Sequence, residues 1–117
     1  MAEHLNAPSL VPGVEPKLIE EYFGGVNSGH DDISIARMVA PPGWTEPGQR
    51  PLFREMTVVL EGRLHAETES GLVEVSAGEA FVSEPGEWVR YSTPDTSGAT
   101  YIAVCTPGFS PERVNRD

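Results

Sequence analysis

Apolar residues in this chain come in short runs broken by turn-forming residues. From Ile33 the segment ISIARMVAPPGW is rich in β-branched residues and closes on Pro41, Pro42 and Gly43, the way a strand ends in a turn. After a long polar connection, FREMTVVLEG reads as a strand running to Gly62 and RLHAET as another ending near Ser70 and Gly71. LVEVSAG runs to Gly78, EAFVSEPGEW to the turn at Pro85 and Gly86, and WVRYSTP and ATYIAVCTPG complete the set. Turn signals recur about every eight to twelve residues, the spacing of a sandwich or closed barrel. No segment keeps a helical apolar period for more than about two turns of 3.6 residues. The pattern predicts an all-β fold.

Residues 1–14 (MAEHLNAPSLVPGV) carry prolines at 8 and 12 and no periodicity, and read as a flexible N-terminal arm. Residues 15–117 are then one barrel domain. Within it, EPKLIEEYFGG fits either a short helical turn ending at Gly24 and Gly25 or an edge strand.

Composition narrows the functional classes. The length of 117 residues suits one core, and the 12 glycines and 11 prolines are scattered as turn residues. Eighteen acidic against eight basic side chains give a formal charge of −10, which repels phosphate backbones and anionic lipid. No nucleic-acid partner and no membrane partner is expected. One cysteine makes no internal disulfide, and no apolar run approaches a membrane span, so the expectation is a soluble protein of a reducing cytoplasm.

The order of glycines resembles the two signature motifs of the cupin superfamily, over residues 43–93. In the first motif, Gly-x5-His-x-His-x3-Glu-x6-Gly, the matching positions here are Gly43, Gln49, Pro51, Glu55 and Gly62. In the second, Gly-x5-Pro-x-Gly-x2-His-x3-Asn, they are Gly78, Glu84, Gly86, Val89 and Thr93, with a proline one place late at Pro85. Fifteen residues separate Gly62 from Gly78, within the family's short spacing. The resemblance implies a double-stranded β-helix, a jelly-roll-like barrel. In the family these positions supply three imidazoles and a carboxylate to a divalent metal. Here Glu55 alone remains, so the resemblance implies no metal and no other cofactor at the usual site. A substitute ligand set drawn from His30, His65, Glu46, Gln49 and Glu55 lacks the spacing of a chelating pair. His30 otherwise reads as a solvated residue of the NSGHDD loop and His65 as a polar strand position.

Side chains alternate along a strand, so Phe53, Glu55, Thr57 and Val59 share a face, which the resemblance places inside the barrel. By the same parity Val89 shares its inward face with Tyr91. Valine at an inward ligand position makes part of the cavity apolar, and an apolar wall raises a carboxyl pKa. Glu55 and Tyr91 are thus the candidate catalytic pair, as acid or base and as orienting hydroxyl. Gln49, Phe53, Thr57 and Val89 are candidate substrate-binding residues. Arg37 joins them if the face it shares with Ile33, Ile35 and Val39 is inward; alternatively Ala36 and Met38 are the core side. Equally, Glu55 can be a structural group paired with Arg37 or Arg54. Cys105 reads as an inert buried thiol.

The leading expectation is a metal-independent enzyme of the cupin type, an isomerase, cyclase or lyase that moves a proton on a small organic molecule. The alternatives are a non-catalytic binding or sensor cupin and a metal enzyme with non-standard ligands. A homodimer built partly on residues 5–25 is expected, since exposed strand edges need covering.

Overall fold

The computed structural model describes residues 2–117. Alternation of apolar and small residues sets the inward face of each strand. In β3 (Ser34–Ala40) the buried positions are Ser34, Ala36, Met38 and Ala40, and in β9 (Ala99–Thr106) they are Ala99, Tyr101, Ala103 and Cys105. These two strands pair antiparallel in one unbroken register from Ser34–Cys105 to Ala40–Ala99. Their inner face is mostly small, which leaves room for the larger Trp44, Leu64 and Tyr91 in the same core cluster.

One sheet runs β1 (Ser9–Val11), β2 (Leu18–Phe23), β3, β9, β5 (Arg54–Thr68) and β7 (Ala80–Ser83). The facing sheet contains β6 (Gly71–Ser76), β5 again, β8 (Val89–Thr93) and β4 (Trp44–Thr45). The 15-residue β5 therefore belongs to both: its first half pairs with β7 and β9, its second with β6 and β8. The sequence pattern places a strand end at Gly62; instead the strand bends there and continues. A register shift between Val59 and Glu61 inserts one residue. Inward positions accordingly change from Glu55, Thr57 and Val59 to Leu64 and Ala66, and the strand keeps facing the core through the bend.

Two further expectations are revised. Of the arm over 1–14, residues Ser9–Val11 form a strand on β2, and Val11 and Val14 pack against the core, because a paired edge satisfies backbone groups that a free arm leaves to water. The segment open between helical turn and strand is β2. Arg37 lies on the outer face: Ala36 and Met38 are the buried neighbours, and the Arg37 guanidinium donates to Glu20 Oε1 at 2.7 Å. A charge with a carboxylate opposite it on the neighbouring strand gains nothing by turning inward.

The C-terminal residues carry no periodic pattern, yet they pack against the barrel. A short helix, α1 (Pro111–Val114), buries Val114 against Phe53 and Cys105, with Phe109 alongside. Beyond it, Asn115 adopts φ 54° and the chain runs beside residues 48–52, where Leu52 N–H donates to Arg113 O at 2.9 Å and Asp117 N–H to Gly48 O at 2.9 Å.

Gly62 carries the bend of β5 at φ +74°, and a Cβ there would lie 2.1 Å from the carbonyl oxygen of Gly98. Gly43 has a similar φ of +79° with nothing near its Cβ position. Gly43→Ala is expected to cost about 1 kcal/mol for its backbone alone, and Gly62→Ala about 3 kcal/mol or more, because backbone must also move. Urea denaturation of the two variants measures the difference; equal losses would show that the bend tolerates a side chain.

Candidate active site

The inward faces of β5, β8 and β9 bring Glu55, Tyr91, Tyr101 and Cys105 together, and the residues before β2 and after α1 close over them. Glu55, Tyr91 and Tyr101 line a cavity of about 20 Å3, together with Lys17, Glu46, Gln49, Phe53 and Arg116. That is room for about one water-sized group. Of the residues read from sequence as the site, Glu55, Tyr91, Gln49 and Phe53 line this cavity. Thr57 is buried on the same face of β5 as Glu55. Val89 is wholly buried and exchanges backbone hydrogen bonds with Gln49, each 2.9 Å. Arg37 is not part of the site.

Glu55 has no arginine partner. Arg37 is engaged by Glu20, and Arg54 donates to Glu84 Oε1 at 2.7 Å. Instead the Cys105 thiol donates weakly to Glu55 Oε2, 3.7 Å away. Burial pushes the Glu55 carboxyl up from 4.5; the charge of Lys17 opposes this, as does the nearby Tyr91 hydroxyl. Burial, then the charge of Glu55, raises Tyr91 well above 10 and also raises Cys105, so both stay protonated and serve as hydrogen-bond donors. Cys105 is thereby excluded as a thiolate nucleophile.

The mouth is closed by charge. Lys17 Nζ lies 3.5 Å from Glu46 Oε2 and 4.4 Å from the centre of the Trp44 ring. Arg116 reaches the same oxygen from the other side at 3.7 Å. Both contacts are long, and Glu46 Oε2 has no hydrogen bond of good geometry. The same is true of Gln49 Oε1, Glu55 Oε1, Thr57 Oγ1, Ser83 Oγ and the Tyr91 hydroxyl. Buried polar atoms are normally satisfied; of these free oxygens, those of Glu46, Gln49, Glu55 and Tyr91 belong to residues that line the one small cavity, which marks it as a place suited to a polar occupant.

Sequence reasoning missed Lys17, Arg116 and Tyr101. The first two come from segments with no periodic pattern, and nothing local signals that both converge on Glu46. Tyr101 lies in ATYIAVCT, where both faces carry apolar residues and parity alone does not choose the inward one.

The metal that the fold family implies does not fit these residues. Gln49 and Glu55 line the cavity and Val89 pairs with Gln49 through the backbone, but the Val89 and Pro51 side chains carry no donor atom, leaving one carboxylate and a neutral amide oxygen. His65 faces Asp95 at 3.4 Å, and His30 lies in an exposed loop beside Ser28, 2.6 Å away. Among the described residues no group of three or more His, Cys, Asp or Glu side chains is arranged to hold a metal ion.

No family model matches the chain. It is 41% identical over 113 residues to the endoribonuclease YbeY of Myxococcus xanthus, a match covering 97% of this chain. The chain spans 38% of the length of that relative. Among solved structures it is similar to Streptomyces PAC13 with uridine, with a TM-score of 0.74 at 11% identity over 97% of this chain and 88% of that one. It is also similar to a cupin domain of an XRE-family transcriptional regulator from Enterobacter cloacae, with a TM-score of 0.66 at 10% identity over 79% of this chain and 97% of that one. The two-sheet barrel shared through β5, the glycine-marked turns and these structural likenesses agree: the chain is a protein of the cupin fold, with Gln49, Pro51 and Val89 standing where the family carries its metal-binding histidines.

Proposed function

We propose that the protein is an enzyme that moves a proton on a small organic molecule, in an isomerisation, cyclisation or elimination, without a metal at the family site. The observation that carries this reading is the Glu55 carboxyl, held in a closed cavity with one oxygen free and no arginine to fix its charge. Such a group gives and takes a proton closer to neutrality than a solvated glutamate. Tyr91, kept protonated by burial, orients the substrate, and Lys17 at the mouth steadies developing negative charge. Gln49 and Phe53 shape the remaining wall, and Thr57 and Val89 are buried on the same strand faces as Glu55 and Tyr91. The uridine held by the similar PAC13 structure is consistent with a small polar molecule in a barrel of this kind.

One observation favours a second reading, a non-catalytic binding module. The cavity holds about one water-sized group, so any larger occupant must first part Lys17 and Arg116 from Glu46. A site that closes on its ligand in this way suits a sensor as well as an enzyme. We extend no nuclease activity to this chain from its Myxococcus relative, since it spans 38% of that protein and carries a charge of −10.

The two readings part in deuterated buffer. A panel of small carbon acids and hydroxy-carbonyl compounds, followed by proton NMR, is expected to contain one that exchanges a carbon-bound hydrogen or is converted by the wild-type protein. Glu55→Gln is expected to slow that reaction at least about a hundredfold. Exchange at the wild-type rate in the variant would remove Glu55 from the mechanism. A compound that raises the melting temperature yet is recovered unchanged and unexchanged would favour the binding module.

Stability tests the environment of Glu55 without any substrate. Because its folded pKa is raised, the wild type is unburdened below about pH 4.5, where the carboxyl is protonated in both states, and loses stability as pH rises through the folded pKa. Glu55→Gln is neutral throughout. Its melting temperature relative to wild type is therefore expected to rise as pH climbs above about 4.5 and to level off once pH has passed the folded pKa. A constant difference would mean that Glu55 titrates normally.

A further inference from the structure

A larger concavity lies across the wall from the Glu55 cavity. It has a volume of about 500 Å3, within the range of small-molecule sites, against about 20 Å3 for the closed cavity. Its origin is topological. β6 and β7 are consecutive strands but pair with opposite halves of β5, not with each other, so the barrel is left open between them. Residues on their inward faces are consequently uncovered: Val73, which pairs with the buried Ala66, is 39% exposed, and Phe81, which pairs with the buried Thr57, is half-buried.

The lining is mixed, with Thr68, Ser70 and Ser83 among the valines, and its two aromatic rings are held in place. The Phe81 ring meets Tyr91 edge to face, with centroids 6.3 Å apart and planes at 89°. The indole N–H of Trp88 donates to Asp117 Oδ2 at 2.9 Å, and its ring packs so closely on Gly48 that a Cβ there would lie 2.4 Å from it. Val73 and Val89 complete the apolar lining.

Charge selects the occupant. Glu69 and Glu87 stand at the rim. Glu69 is neutralised by Arg50 at 2.8 Å, whereas Glu87 accepts a backbone N–H from Glu84 and has no ion-pair partner among the described residues. Glu84 is itself matched by Arg54. Of the two carboxylates lining the groove, Glu87 is thus the one without an ion-pair partner, and it stands with two aromatic rings, the setting in which an organic cation gains from both a carboxylate and ring faces. We propose that this groove is a binding site for a small organic monocation, an amine carried on an apolar ring. The proposal does not depend on catalysis at Glu55.

Three near-isosteric probes separate charge from shape: tryptamine (cation), tryptophol (neutral) and indole-3-acetate (anion). Each is titrated into 15N-labelled full-length protein and followed by amide chemical shifts. Tryptamine is expected to move Ser83, Gly86 and Val89, and to bind about fivefold or more tightly than indole-3-acetate, with tryptophol between. Glu87→Gln, a change at an exposed side chain, is expected to reduce that preference below about twofold. Val73→Trp, which fills the groove from a partly exposed position, is expected to abolish the shifts at these residues for all three. Equal affinities in the wild type, a preference unchanged by Glu87→Gln, shifts elsewhere than the groove, or no binding at about 5 mM tryptamine would overturn the proposal.

Discussion

Everything in this barrel depends on the bend of β5. A strand shared by two sheets must change direction without rotating its side chains out of the core, and a period of two residues makes any one-residue slip reverse inside and outside. The chain meets both demands within four residues. The insertion between Val59 and Glu61 restores the parity that the bend would lose, and Gly62 supplies a φ that L side chains rarely adopt. Glu55 faces the interior at one end of the strand only because Leu64 and Ala66 face it at the other.

The site that results is governed by desolvation more than by any single bond. Glu46 and Glu55 are both buried with acidic side chains. They differ in company: Glu46 holds two cations at ion-pair distance, while Glu55 has only the weak Cys105 thiol as a hydrogen-bond donor. One carboxylate is thereby matched by positive charge, while burial raises the pKa of the other. Where the family places imidazoles, Gln49 and Val89 retain the backbone pairing that brings those positions together, so the scaffold of a ligand site persists without its donors.

Much of this was legible in the sequence. Glycine and proline at turn spacing marked nearly every strand, and the cupin resemblance, carried along the strands by parity, put Glu55 and Tyr91 inside. What escaped had two physical causes. Gly62 has the composition of a turn, and only its distant pairing with Ala99 makes it a bend within a strand. Lys17 and Arg116, nearly a hundred residues apart in sequence, meet at Glu46 through tertiary closure, for which no local pattern exists. Arg37 shows the converse: its strand alternates small and apolar residues on both faces, so parity was readable but its sign was not until Glu20 appeared opposite.

The antiparallel seating of residues 115–117 against Gly48 and Arg50 has a practical side. Asp117 both donates its backbone N–H to Gly48 and accepts from the Trp88 indole, and its neighbour Arg116 stands at the closed mouth. Polypeptide joined after Asp117 therefore begins at the mouth of one cavity and beside an aromatic wall of the groove. An affinity tag or reporter fused there would sit on the features a ligand assay sets out to measure, whereas one joined before the Ser9–Val11 edge strand would start from a different part of the barrel.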